Sequence, residues 1–266
     1  MILLPLMFQV GSTPSALSPN EQRYRACIAL ATSDPKAAEA EADRFRSAGG
    51  GARAHQCQGM AYAQEARWGD AATAFEAAAR DADTAHDPEA ARYWAQAGNA
   101  WLAAGDAVKA QTALTTAITA GTLDNFGRGE ALLDRARAQV AAGRLASARG
   151  DIDAAQEATP KDPLAWLLSA TLARRMNDLP RAQTDIAEAL KLSSDDASVQ
   201  LEAGNIAALS GDADGARTAW QAAAKLAPGT AIADNARAAL AQFDAPAAAP
   251  AAPPAPSAPS APANKP

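Results

Sequence analysis

The chain has 266 residues and a net charge of −6, and 48% of its residues are apolar while 20% are charged. This composition indicates a folded protein, and its acidity argues against nucleic acid as a partner. Two histidines and two cysteines leave little material for a metal centre or a nucleophile. We therefore predict a non-enzymatic protein with no catalytic residues, no metal site and no cofactor.

The N-terminal residues 1–18 have the character of a secretory signal peptide. An apolar run at 2–8 is followed by small, turn-forming residues at 11–19, although no basic residue precedes the run. The run is too short to span a membrane, which takes about 20 apolar residues. We expect a periplasmic or secreted protein without an integral membrane segment. An ordinary N-terminus that does not direct export is the alternative.

Cys27 and Cys57 are the only two cysteines of the chain. An even number of cysteines in an exported protein favours a disulfide. The bond would close a loop of about 30 residues and stabilise the fold by roughly 3–4 kcal/mol in the chain-entropy model. Two small, buried thiols are the alternative.

A motif recurs five times in the middle of the chain. Each copy contains an alanine followed four residues later by a large apolar side chain and seven residues later by another small residue. A further small residue lies twelve positions before the alanine. These marker alanines are Ala71, Ala110, Ala148, Ala182 and Ala216. They are 39, 38, 34 and 34 residues apart, and we expect the extra residues of the first two intervals in connections at 83–88 and 121–129.

The motif resembles that of the tetratricopeptide repeat (TPR) family, which combines two aromatic positions with small residues, Ala-x-x-x-Phe and a closing proline. Trp94 and Trp166 stand at the first aromatic position, and Tyr62 and Trp101 at the second. The resemblance implies an all-α fold, a right-handed α-solenoid of about five stacked antiparallel helix hairpins. Small residues let the helices of a hairpin approach closely, and stacking buries the apolar face that one hairpin leaves open.

The predicted organisation follows the chain from end to end. The parts are a signal-peptide-like segment (1–18), an N-terminal helical hairpin (20–48), the TPR-like repeats (52–228), a capping helix (229–244) and a disordered Pro/Ala-rich tail (245–266). The tail holds eight prolines and a single charge, at Lys265, so it cannot form a core.

The family resemblance also implies a concave groove that is lined by the first helix of each hairpin and binds peptides. The predicted groove residues are Arg53, Gln56, Met60, Arg92, Asn99, Arg137, Arg174, Arg175 and Asn205. Leu133, Val140 and Leu167 are expected to add apolar contacts, and Glu130 is the one acidic residue. Because arginines bind carboxylates bidentately, we predict an acidic peptide or a free C-terminal carboxylate as ligand. A basic face without specificity is the alternative.

Three pairs of acidic residues could be mistaken for catalytic carboxylates. They are Asp151 with Asp153, Asp195 with Asp196, and Asp212 with Asp214. We interpret them as residues near helix ends that complement the helix dipole.

The leading functional hypothesis is a protein–protein interaction scaffold in the bacterial envelope or outside the cell. The alternative is a structural or assembly subunit of a cell-envelope complex that acts through self-association or through its Pro/Ala tail. An enzyme with an unrecognised site is a third reading, and the sequence leaves the partner and the oligomeric state open.

Overall fold

The computed structural model describes residues 17–244, which are helical with short connections and contain no strand. The predicted Pro/Ala-rich tail lies outside the described residues, as does the signal-like segment except for its last two residues. Ser18 belongs to the first helix cap, because its hydroxyl accepts a hydrogen bond from the Glu21 amide.

The described residues form thirteen helices and divide between Ser194 and Asp195 into two compact units. The first unit contains α1 (Pro19–Ser33), α2 (Pro35–Ser47), α3 (Gly51–Gln64), α4 (Trp68–Thr84), α5 (Ala90–Ala103), α6 (Ala107–Ala120), α7 (Asn125–Ala141), α8 (Leu145–Ala158), α9 (Pro163–Arg175) and α10 (Leu179–Leu192). The second contains α11 (Ala197–Leu209), α12 (Ala213–Leu226) and α13 (Ala231–Asp244).

Aspartate side chains begin many of these helices. The carboxylate of Asp34 accepts a hydrogen bond from the amide of Ala37, and Asp178 does the same for Arg181. A proline lies in the first turn of both helices, where a missing N–H costs nothing. These two starts agree with the sequence pattern, because capping is a local interaction that needs no tertiary contact.

The marker alanines lie where the helices of a hairpin meet, and all five are completely buried. The large side chain four residues later packs on the small residue of the preceding helix. A Cβ atom at Gly59 would lie 2.7 Å from the Phe75 ring, and one at Gly98 would overlap Leu114. The antiparallel hairpins predicted from the repeat are therefore present, and the small residues set how closely their helices approach.

The two long intervals of the repeat are accommodated differently from the prediction. Helices α4 and α7 each have 17 residues, so part of each insertion is helical and lengthens the hairpin. The connections shrink to 85–89 and 121–124. The Asp124 carboxylate accepts a hydrogen bond from the Gly127 amide and caps α7, so the loop predicted at 121–129 ends at Asp124.

A disulfide joins Cys27 in α1 to Cys57 in α3, with 6.0 Å between their Cα atoms. Both residues are fully buried among Ala31, Ala38 and Ala61. The bond ties the N-terminal hairpin to the first helix of the next one.

Two buried aspartates, Asp151 and Asp185, link the two helices of the third and of the fourth repeat. Asp151 accepts two hydrogen bonds of 2.7 Å from Arg135 and one of 3.0 Å from Gln139. In the next hairpin Asp185 accepts a hydrogen bond from Ser169 and pairs with Arg181 at 3.3 Å. Asp151 lies in the interior of α8 and not at its end.

Asp153 also lies in the interior of α8 and pairs with Arg149 at 3.1 Å and with Arg181 at 2.5 Å. The helix-end interpretation is therefore wrong for Asp151 and Asp153. It holds for Asp212, which caps α12, and for Asp214 in the first turn of that helix.

The second unit has a core centred on Trp220 of α12. The indole packs edge-on against Phe243 of α13, with ring centroids 5.4 Å apart, and its N–H donates to Asn205 at 3.0 Å. Arg217 pairs with Asp244 at 2.8 Å. Helix α13 thereby covers α12.

Candidate functional site

Helices α5 and α7, the first helices of two successive hairpins, pack beside each other and border a cleft of about 680 Å³. We call this the larger cleft. Its lining includes Arg92, Gln96 and Asn99 of α5, Phe126, Glu130, Leu133, Asp134 and Arg137 of α7, and Trp68, Asp124 and Leu164 from neighbouring segments. The repeat pattern positions these residues, because one face of the first helix in each hairpin does not contact the second helix and is left to line the cleft.

A smaller pocket of about 140 Å³ lies between α7, α8 and α9. Its floor is apolar and includes Val140, Ile152 and Leu168, while Arg137 and Arg175 stand beside it. Arg137 lines both cavities. Within residues 17–244, Arg175 makes no ion pair, so its guanidinium is available to a ligand.

Asp134 organises the wall between α5 and α7. Its carboxylate accepts a hydrogen bond of 2.8 Å from the Asn99 amide and one of 3.1 Å from Arg137. Arg92 pairs with Glu89 at 3.3 Å. Arg92, Asn99 and Arg137 all line the larger cleft, as predicted for the groove. Both arginines already form ion pairs, Arg92 with Glu89 and Arg137 with Asp134.

The larger cleft does not carry the positive charge that the sequence led us to expect. Three carboxylates line it (Asp124, Glu130 and Asp134) against two guanidiniums (Arg92 and Arg137). Partial burial raises the pKa of Glu130, and the nearby charges of Asp134, Asp162 and Asp124 raise it further. The sequence reasoning counted only Glu130, although Asp134 follows at helical i,i+4 spacing and so shares its face.

Two large apolar side chains project into the larger cleft and were missed by the sequence reasoning. Phe126 is 61% exposed and Leu164 is 46% exposed. Each lies in the first turn of its helix, outside the repeat positions that pack the core. Exposed apolar side chains grouped in a cleft are typical of a docking site.

Three predicted groove residues on α3 lie against the N-terminal hairpin instead. Gln56 is 7% exposed, accepts a 2.6 Å hydrogen bond from the Tyr24 hydroxyl and donates to Gln96 at 3.1 Å. Arg53 pairs with Glu21 at 2.5 Å and stacks over Tyr24. Met60 packs against the alanine clusters on both sides of α3. Helix α1 packs on α3 and occupies the face that the prediction left open.

The remaining predicted residues are divided between the two units. Arg174 is half-buried in α9 and lines neither cavity, whereas its neighbour Arg175 lines the smaller pocket. Asn205, in the second unit, accepts the Trp220 hydrogen bond and donates to Glu202 at 3.3 Å, so it supports packing. Leu168, and not Leu167, faces the smaller pocket.

Across residues 17–244 no three His, Cys, Asp or Glu side chains are grouped so that they could hold a metal ion. No helix of that range has the length and apolar character needed to cross a membrane.

Comparisons with known proteins identify the fold. No protein-family model matches the chain, and no curated protein matches it. The structure of PilW, described as a widely conserved type IV pilus biogenesis factor, is 16% identical, covers 82% of this chain and 98% of its own, and superposes with a TM-score of 0.68. Pseudomonas aeruginosa PilF gives the same identity and coverages and a TM-score of 0.65.

YrrB, described as a TPR protein with an unusual peptide-binding site, is 16% identical over 74% of this chain and 96% of its own, with a TM-score of 0.52. At these identities the comparisons establish the architecture and not a shared activity. The chain is an all-α protein with the fold of the tetratricopeptide repeat proteins.

Proposed function

We propose that the protein is a non-enzymatic interaction scaffold that binds a peptide segment of a partner protein in the larger cleft. The observation that carries this proposal is the cleft itself, bordered by the first helices of two successive hairpins. Its volume of about 680 Å³ suits a few residues of peptide, and Phe126 and Leu164 offer apolar contacts. The same fold is described in YrrB as carrying a peptide-binding site.

The smaller pocket supports the predicted carboxylate ligand. Arg137 and Arg175 flank an apolar floor there, and a carboxylate between two guanidiniums forms charge-assisted hydrogen bonds. An acidic side chain or a C-terminal carboxylate of the bound segment would occupy this pocket, with an adjacent apolar side chain on Val140.

A second candidate function is that of an assembly subunit in the cell envelope. The likeness to PilW, a described pilus biogenesis factor, favours it. In this second function the protein has the predicted periplasmic or secreted location and acts through self-association or through the tail at 245–266. Sedimentation at several protein concentrations separates the two functions, because self-association raises the mass with concentration and a monomeric scaffold does not.

The test is selection of peptides from a random displayed library on the full-length protein. Bound peptides are then measured by fluorescence anisotropy against the double variant Phe126→Ala/Leu164→Ala. The matched control is Val108→Ala, an exposed apolar residue of α6 that lines neither cavity. We expect the double variant to weaken binding about tenfold, because each truncation removes apolar contact, and the control to bind normally.

Failure to enrich any peptide would overturn the proposal. So would equal binding by the double variant and the wild type.

A further inference from the structure

Helix α7 presents one row of side chains to both cavities. Phe126, Glu130 and Asp134 face the larger cleft, Arg137 faces both cavities, and Val140 faces the smaller pocket. Spacings of three and four residues place them on one face of the helix. A ligand lying along α7 meets these groups in that order.

The charge of this row changes sign along the helix. At its acidic end, Asp124 is committed to the cap of α7 through the Gly127 amide, and Asp134 is held by Asn99 and Arg137. Glu130 forms no ion pair with any basic side chain in the described part of the chain. A cation of the ligand would therefore be stabilised at Glu130, where the uncompensated negative charge lies.

The basic end is formed by residues of two helices. Arg137 shares its charge with Asp134, while Arg175 of α9 has no ion pair within 17–244. The smaller pocket therefore suits a carboxylate of the ligand. The larger cleft suits a cationic group next to an apolar side chain.

The helix geometry fixes the spacing between the two charges. Glu130 and Arg137 are seven residues apart on α7, and a rise of about 1.5 Å per residue separates them by roughly 10 Å. An extended peptide advances about 3.3 Å per residue. About three residues of bound peptide therefore separate the groups that meet Glu130 and Arg137.

We infer that the partner segment is extended and dipolar: a lysine or arginine beside a large apolar residue lies at Glu130 and Phe126, and a carboxylate about three residues away lies between Arg137 and Arg175. This inference rests on the proposed function, because it specifies the ligand of the same cleft. It differs from a purely acidic ligand, which the carboxylates of the larger cleft would repel.

Charge exchange on a library-selected peptide tests the inference. The peptide is synthesised in its selected form and with its basic residue replaced by glutamate, and both are titrated against wild type and Glu130→Arg. We expect Glu130→Arg to weaken the selected peptide roughly five- to tenfold at low salt, and the glutamate peptide to recover most of that loss on this variant. Arg175→Glu is tested in the same way with the acidic group changed to lysine.

The matched control is Glu157→Arg, an exposed glutamate of α8 outside both cavities; it should leave both affinities unchanged. Selected peptides with acidic charges alone, or the absence of recovery on charge exchange, would overturn the dipolar ligand while leaving the cleft a binding site. Selected peptides that bind the Phe126→Ala/Leu164→Ala variant normally would overturn both proposals.

Discussion

Gly98 of α5 lies directly under the side chain of Leu114 of α6, so that a Cβ atom at position 98 would overlap Cγ of the leucine. Leu114 is fully buried and cannot swing away. The same arrangement recurs between Gly59 and Phe75. In these two hairpins, the absence of a side chain on the first helix sets how closely the two helices approach.

Gly98→Ala should destabilise the protein by about 1–2 kcal/mol, because the overlap outweighs the gain in helix propensity. The measurement is the free energy of unfolding from urea titrations. The matched control is Gly150→Ala in α8, where a Cβ meets nothing within 4 Å, and this change should stabilise by about 0.5–1 kcal/mol. Equal stabilisation by both changes would contradict the packing.

Asp151→Ala should cost about 3 kcal/mol, because it leaves the partly buried Arg135 guanidinium without its carboxylate partner. The double variant Arg135→Ala/Asp151→Ala should lose less than the sum of the two single variants. Urea titrations of the four proteins give the coupling energy. Additive losses would show that the two side chains contribute independently.

Reduction of the Cys27–Cys57 disulfide should lower the Tm. The bond spans 30 residues, which corresponds to roughly 3–4 kcal/mol in the chain-entropy model and to a fall of roughly 6–16 °C for a chain of this size. Calorimetry with and without reductant measures the shift, and the Cys27→Ala/Cys57→Ala variant serves as the control that reductant should not affect. A reductant-insensitive wild type would argue against the bond.

Binding of a cationic peptide should tighten as the pH rises through the pKa of Glu130, because only the ionised carboxylate attracts the cation. Burial and neighbouring carboxylates raise this pKa above its usual 4.5, so the change should fall above pH 4.5. Anisotropy titrations across this range should show a larger rise for wild type than for Glu130→Gln.

The raised pKa of Glu130 also bears on stability. The folded protein holds the Glu130 proton more tightly than the unfolded chain, so stability is lost as the pH rises from 4.5 through the folded pKa. Glu130→Gln should therefore be more stable than wild type at neutral pH and equal to it well below pH 4.5. Thermal melts at both pH values check this.

The sequence predicted the hairpins because their signals are local and periodic. A buried alanine with a large apolar residue four positions later marks a helix contact, and Asp34 and Asp178 mark helix starts. The repeat also pointed to first helices as the lining of a cleft, and Arg92, Asn99 and Arg137 do line one.

Tertiary context explains most of the departures from the predicted site. Gln56 and Arg53 satisfy the groove pattern, but α1 packs on their helix and recruits them as partners of Tyr24 and Glu21. Asp151 was predicted to lie near a helix end, but the fold places it inside α8, where it pairs with Arg135 of α7. Asp134 could have been found, because it shares a helix face with Glu130 and Arg137.

The two buried aspartates stand at one equivalent place in the repeat. Asp151 and Asp185 each follow their marker alanine by three residues, whereas Ala74 and Ala113 occupy that position in the earlier hairpins. If α7 formed its hairpin with α4 during folding, Arg135 would meet the methyl group of Ala74 in place of its carboxylate partner, at a penalty of about 3 kcal/mol. Because many helix faces of this chain are rich in alanine and resemble one another, Asp151 favours the pairing of α7 with α8 over a pairing of α7 with α4.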